Sequence, residues 1–254
     1  MLIDSHAHIY DEEYSDGGAA IIESMDRDGL DRIVCVGCDV PTSEICVDLA
    51  RANERIYAVV GVHPYDAAAV TPECLTALRE LAECDKVAAV GEIGLDFHRA
   101  DSDRAAQVRA MIAQYELSLE LELPTVYHIR DGFGAFYEFA KDREFPYGAV
   151  LHCFSGSAET AEYYVRKGFY VSFSGTVTYK NAVNLVRAAQ VVPFDRLLVE
   201  TDSQYLTPEP MRGRLNYPKN VALVAKKLAE IKNVSAADME NITAENAVRI
   251  FGMK

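Results

Sequence analysis

The sequence lacks any long hydrophobic run and any leader-like start. None of its apolar stretches approaches the roughly 18 residues that a membrane-spanning helix needs. Its first residues, MLIDSHAH, contain neither the basic nor the apolar segment of a secretory signal. With 50% hydrophobic and 25% charged residues, the composition is that of an ordinary globular protein. We therefore expect a cytoplasmic protein that does not interact with membranes.

Positive charge is scarce in this chain. Its 25 Lys and Arg residues face 39 Asp and Glu residues, which gives a formal net charge of -14. That balance argues against a protein that coats long nucleic acid electrostatically. It remains compatible with an enzyme that grips a few phosphates locally, particularly through bound cations.

The six cysteines lack the spacing of a disulfide framework. Cys35 and Cys38 form a CxxC pattern, but both fall in one strand-like run. An offset of three along a strand points two side chains to opposite faces. We therefore expect neither a redox nor a zinc role for this pair.

Short apolar runs alternate with segments of helical periodicity along the chain. Strands are predicted at residues 2–9, 32–39, 56–64, 87–96, 124–131, 148–155, 168–175 and 196–202. Helices are predicted between them at 18–28, 42–52, 72–83, 103–121, 133–141, 158–167 and 181–190, and then at 219–231 and 236–251.

This strict alternation predicts a parallel sheet with right-handed crossovers. Eight units in 254 residues fit a (β/α)8 barrel (TIM barrel) with extra C-terminal helices. A doubly wound open sheet is the alternative, but no G-x-G-x-x-G follows the first strand. Because no linker or repeat interrupts the pattern, residues 1–254 are predicted to form a single domain.

Polar residues gather where the predicted strands end. Five of the six histidines lie there, and His98 follows the fourth strand. A (β/α)8 barrel carries its chemistry at the carboxyl ends of its strands, so we expect a functional site from these side chains. They are His6, His8, His63, Glu92, His128, His152 and Asp202.

This residue set predicts a metal site. His6 and His8 share one face of their strand, so both imidazoles can reach a single cation. Glu92 lies in a buried strand, and a buried carboxylate needs a cation or a hydrogen-bond donor. Asp4 and Glu200 lie one pleat deeper than the ligands on their strands. We expect them to support the ligands from behind.

Four histidines and two carboxylates exceed one tetrahedral zinc site and suit two divalent cations that share a carboxylate. A carbamylated lysine is another known bridge between metals. The only lysine between His8 and His128 is Lys86, which precedes the fourth strand and so lies at the wrong end. Any bridge is therefore predicted to be Glu92.

Taken together, the motifs resemble those of the TatD family of metal-dependent hydrolases, within the amidohydrolase-like barrels. The resemblance spans residues 4 to 251, and seven motifs carry it in order. They are DSHAH (4–8), GVHP (61–64), GEIGLD (91–96), HIR (128–130), LHCFSG (151–156), SGTVTYKNA (174–182) and ETDS (200–203).

The resemblance implies two divalent cations, and the ligand types admit magnesium, zinc, manganese or nickel. One cation would be held by His6, His8, Glu92 and Asp202, the other by Glu92, His128 and His152. It also implies a divalent-dependent deoxyribonuclease, some members of the family being 3′-to-5′ exonucleases. Two departures leave the ligands intact: Gln204 replaces the family's usual proline, and Gly132 a common alanine.

We expect phosphodiester hydrolysis by metal-activated water, with Asp202 as general base and Glu92 as bridging ligand. His63 is a candidate substrate-binding or acid group, or a residue that supports the ligands. Arg130 and Arg212 are candidate phosphate contacts, whereas Arg214 is expected to form a surface ion pair. The expected substrate is DNA.

Two alternatives stay open at this point. A bimetal centre attacks the carbonyl carbon of a small ester, amide or aminoacyl ester as readily as phosphorus, and fold does not settle function. A metal-binding or partner-binding protein without turnover is the second alternative. The intact ligand set argues against it, and no obligate protein partner is evident.

Overall fold

The computed structural model describes residues 1–99 and 103–254, and strands alternate with helices throughout them. The strands are β1 (Ile3–Ala7), β2 (Arg32–Val36), β3 (Ile56–Val60), β4 (Val87–Asp96), β5 (Thr125–Arg130), β6 (Ala149–Leu151), β7 (Tyr170–Phe173) and β8 (Leu197–Val199). The helices are α1 (Ala19–Ser24), α2 (Val40–Ala52), α3 (Pro72–Leu81), α4 (Arg104–Glu120), α5 (Phe133–Ala140), α6 (Ala158–Arg166), α7 (Val183–Val191), α8 (Val221–Lys232) and α9 (Ala236–Ile250). Every predicted element is present.

The sheet order is sequential from β1 to β8, which is the order of a (β/α)8 barrel, so the predicted fold class is confirmed. Several strands are shorter than predicted. β3 ends at Val60 and β8 at Val199, whereas the predicted strands extend to residues 64 and 202. The polar residues that seemed to end these strands therefore lie in the loops that follow them.

The chain divides into two compact units, one of residues 1–35 and 156–254 and one of residues 36–155. In the first unit, β1 pairs with β2 and β7 with β8, all in parallel. In the second unit, β3, β4, β5 and β6 pair in parallel in that order. The division does not test the prediction of a single domain.

In the first unit, main-chain hydrogen bonds join the end of β1 to the segment after β8. The Asp202 amide donates to the His6 carbonyl (3.0 Å), and the His8 amide donates to the Ser203 carbonyl (2.7 Å). Helix α9 holds the start of β8, because the Asn246 side-chain amide donates to the Leu197 carbonyl (2.8 Å). These bonds fix residues 6, 8 and 202 against one another.

In the second unit, two buried glutamines of α4 hold the ends of β3 and β4. Gln114 accepts from the Val62 amide (2.7 Å) and donates to the Val62 carbonyl (3.1 Å). Gln107 makes the same pair of bonds with Asp96 (2.8 and 3.0 Å). Seven residues, about two helical turns, separate them, so both project from one face of α4.

Gly94 allows β4 and β5 to approach closely. Its φ of 139° lies outside the range of side-chain-bearing residues, and a Cβ there would collide with the His128 carbonyl oxygen. On β4, this close approach is midway between Glu92 and Asp96. On β5, it is at His128.

The described residues include no helix with both the length and the apolar character needed to cross a bilayer. Among the described residues, Cys35 and Cys38 form no disulfide bond.

We predict that the hydrogen bonds of Gln107 and Gln114 on α4 stabilise the fold. Replacing Gln114 by leucine should lower the free energy of unfolding by about 2–4 kcal/mol, because the Val62 amide and carbonyl would lose their partners in the interior. Chemical denaturation measures this. Gln190→Leu, at an exposed position of α7, is the matched control and should change stability by less than about 0.5 kcal/mol. Equal effects of the two substitutions would contradict the assignment.

Candidate functional site

The first unit brings together three of the predicted metal ligands. The Nε2 atoms of His6 and His8 lie 3.9 and 3.5 Å from the same oxygen, Oδ1 of Asp202. His6 and His8 are buried, and their rings pack edge to face at 5.1 Å. The Tyr10 hydroxyl lies 3.3 Å from Nδ1 of His8, which leaves Nε2 of that ring facing the carboxylate.

Asp4 supports this cluster through the main chain. Its carboxylate accepts hydrogen bonds from the Thr201 amide (2.9 Å), the Thr201 hydroxyl (2.5 Å) and the His6 amide (3.3 Å). Asp4 is predicted to support the ligands from behind, and these bonds hold the backbone at His6 and Thr201. Burial raises the pKa of Asp4 to about 8. Glu200 is fully buried, in line with the deeper position predicted for it.

The second unit brings imidazole nitrogens together around the Glu92 carboxylate. Its Oε1 lies 2.6 Å from Nε2 of His152 and 2.8 Å from Nδ1 of His128. Those two nitrogens are only 3.2 Å apart. Nε2 of His63 is 3.8 Å from the same oxygen, and its donor atom forms a group with those of Glu92 and His128 within 4.8 Å.

Asp96 is a site residue to which the sequence analysis gave no role. Its Oδ2 lies 3.0 Å from Nε2 of His128, and its Oδ1 accepts from the His98 amide at 3.0 Å. Burial opposes ionisation of this carboxyl, but hydrogen bonds from His128 and His98 lower its pKa to about 2. A signal was present, because Asp96 follows Glu92 by four residues on one strand and so shares its face.

The two carboxylates set the state of the His128 ring. Burial alone would lower the pKa of His128, but the hydrogen bonds to Asp96 and Glu92 outweigh it and raise this pKa above its ordinary value. With Asp96 accepting from Nε2, the Nδ1 atom faces Glu92 and His152. Metal-binding histidines commonly bond a carboxylate through the ring nitrogen that does not hold the metal.

The donor set fits a divalent cation. Two imidazole nitrogens and a carboxylate oxygen converge within 3.2 Å of one another, and a cation between such atoms removes the repulsion among their lone pairs. Imidazole suits zinc and nickel, and carboxylates suit magnesium and manganese. Asp96 supplies the outer carboxylate that such sites use to hold a ligand ring.

The predicted substrate-binding residues are two exposed arginines and a histidine. Arg130 ends β5 and is exposed. Arg212 is exposed, with its guanidinium 4.1 Å from the centre of the Tyr179 ring. Arg214 is also exposed, and Gln204 is buried with its amide nitrogen 3.4 Å from the Tyr205 hydroxyl. His63 joins the Glu92 cluster, which leaves both of its predicted roles open.

Comparison with protein families identifies the chain. The model of the family described as TatD related DNase matches residues 3–252. The chain belongs to the TatD-related DNase family. The resemblance seen in the motifs is therefore confirmed, and the chain is a metal-dependent hydrolase.

The relatives agree in length as well as in sequence. The metal-dependent hydrolase YabD of Bacillus subtilis is 39% identical over 252 residues, covering 99% of each chain. A protein of Cronobacter sakazakii named 3′-5′ ssDNA/RNA exonuclease TatD is 35% identical over 230 residues, covering 88% of this chain and 87% of its own. The crystal structure of the Escherichia coli TatD homologue YJJV has a TM-score of 0.93 at 27% identity, covering 100% of this chain and 98% of that one.

We predict that Asp96 strengthens metal binding through His128. Asp96→Asn keeps the shape of the side chain but removes the charge facing Nε2 of the ring, and should weaken binding of Mn²⁺ or Zn²⁺ by roughly 10- to 100-fold. Titration calorimetry of the chelator-treated protein measures this. Asp131→Asn is the control, because that exposed carboxylate contacts His98 at 2.9 Å. An unchanged affinity in Asp96→Asn would refute the role.

Proposed function

We propose that this chain is a divalent-cation-dependent nuclease that removes nucleotides from the 3′ end of single-stranded DNA. The observation that carries the proposal is the Glu92 cluster, in which two imidazole nitrogens and a buried carboxylate oxygen converge on one point. The exonuclease named among the relatives supports the choice of substrate. Exposed arginines at Arg130 and Arg212 supply candidate phosphate contacts.

The proposed ligands are those that the sequence predicts. His6, His8 and Asp202 belong to one cation and His128 and His152 to the other, with Glu92 shared. When bound, these cations would lower the pKa of a water molecule and offset charge on phosphoryl oxygens.

Asp202 is the proposed general base, and its exposure supports this choice over Glu92. The Asp202 side chain is 15% exposed, whereas that of Glu92 is 4% exposed. A carboxylate that accepts a proton from the attacking water must be reachable by water. Asp202 is held in place through its main chain, since its amide donates to His6 and its carbonyl accepts from Tyr205 (2.9 Å).

A hydrolase of small esters or amides is the second candidate, and the net charge of -14 favours it over a protein that must attract a polyanion. The two candidates differ in their salt dependence. Each phosphate contact made by a nuclease steepens the loss of affinity with rising salt, whereas a neutral ester shows no such loss.

We predict metal-dependent shortening of an oligonucleotide. Chelator-treated protein should leave a 5′-labelled single-stranded DNA intact, and addition of Mg²⁺ or Mn²⁺ should give a ladder that shortens from the 3′ end. Denaturing electrophoresis follows the reaction. Failure with every divalent cation, by protein that binds metal, would contradict a nuclease. Hydrolysis of p-nitrophenyl acetate by the same protein would then favour the second candidate.

We predict that Asp202→Asn lowers kcat by about 100-fold or more while the protein stays folded, since an amide cannot accept the proton. Asp195→Asn is the matched control, because that exposed carboxylate pairs with Arg196 just before β8. Circular dichroism checks the fold of both variants. Near-normal turnover by Asp202→Asn would eliminate it as the base.

A further inference from the structure

A tyrosine and an arginine extend the Glu92 cluster outward in the second unit. Tyr65 lies two residues after His63, and its side chain is 44% exposed. Its ring packs edge to face against the His63 ring at 4.7 Å, and the His63 ring packs against His128 at the same distance. Tyr65 is therefore continuous with the candidate metal ligands.

The main chain of Tyr65 is held in place, because its amide donates to Nδ1 of His63 at 3.1 Å. Burial and the neighbouring Asp96 carboxylate, the same group that contacts His128, raise the pKa of the Tyr65 phenol. The tyrosine therefore has a defined position although nearly half of it faces solvent.

Arg99 rests on this tyrosine. Its guanidinium carbon lies 4.9 Å from the centre of the Tyr65 ring, which is a cation–π contact. Arg99 itself is exposed. A guanidinium that stacks on a ring through its face keeps its N–H groups in the plane, where they can bond a phosphate in a bidentate manner.

A second guanidinium belongs to the same place. Arg130 pairs with Asp96 in the register of β4 and β5, and both Arg130 and Arg99 act electrostatically on the Tyr65 phenol. Among the residues that the structure describes, Arg130 makes no ion pair with a carboxylate. Two exposed guanidinium groups therefore lie near the Glu92 cluster on a chain with a net charge of -14.

We propose that Arg99, positioned by Tyr65 and assisted by Arg130, binds a phosphate of the substrate next to the scissile one. This inference rests on the proposed nuclease function and narrows its substrate class to chains with at least two phosphodiester groups. Arg99 is the binding residue. Tyr65 is a positioning residue that acts through the guanidinium, and the His63 ring connects it to the His128 ring.

The structure offers a matched control for the contact between Arg99 and Tyr65. Arg196 lies over the Tyr170 ring at 5.1 Å, at the point where the chain enters β8. That position is at the amino end of its strand, opposite to the end that carries the chemistry of this fold. Arg196→Ala therefore removes the same kind of contact without touching the proposed site.

The test compares two substrates by steady-state kinetics. One is a 5′-labelled single-stranded oligothymidylate, and the other is bis(p-nitrophenyl) phosphate, which has a single phosphodiester. Arg99→Ala should raise KM for the oligonucleotide roughly 10- to 100-fold, the effect of losing one charge-assisted hydrogen bond. Hydrolysis of the small diester should fall far less, and the slope of log KM against log salt should drop by about 0.7.

Further variants separate binding from a structural effect. Arg99→Lys keeps the charge, so its KM for the oligonucleotide should lie between those of the parent protein and Arg99→Ala. Tyr65→Leu should raise KM for the oligonucleotide with little change in kcat. Tyr65→Phe keeps the ring, so its KM should be close to that of the parent protein. Equal KM values for Arg99→Ala and Arg196→Ala on the oligonucleotide overturn the inference and leave the nuclease function standing. A parent protein that cleaves no oligonucleotide with any cation overturns both.

Discussion

The Glu92 carboxylate is buried in the second unit, where a negative charge is costly unless donors or a cation surround it. His128 on β5 and His152 just after β6 supply imidazoles at 2.8 and 2.6 Å from one of its oxygens. These nitrogens offset the charge when protonated and can share a cation with it when neutral. The placement of residues around β4 follows from this one requirement.

The same requirement explains the polar groups behind the ligands. Asp96 faces the far nitrogen of His128, and its main chain is held at both polar groups by Gln107. Gln114 holds Val62 in the same way, next to His63. The helix that covers β3 and β4 thus fixes two residues that adjoin the cluster, so a ligand ring has little freedom to turn away. Rigid placement of this kind is what a metal site needs from its surroundings.

Most of the fold could be predicted from the sequence, because buried parallel strands are written as short apolar runs between helical segments. The histidines and Glu92 could be found as polar residues where those runs stop. Asp96 was missed since its role depends on the neighbouring strand, although its parity with Glu92 was visible. The contact of Arg99 with Tyr65 left no sequence signal, because 34 positions separate the two residues and only the fold brings them together.

Net charge and local charge act over different distances in this protein. At physiological salt, interactions between exposed charges fade beyond about 8 Å. Acidic residues far from the site are therefore largely screened, whereas a guanidinium or a cation beside the reacting group acts on the substrate directly. A chain with a net charge of -14 is poorly suited to coating nucleic acid and well suited to releasing it. The proposed nuclease, which would remove one nucleotide at a time from an end, needs only the local contacts.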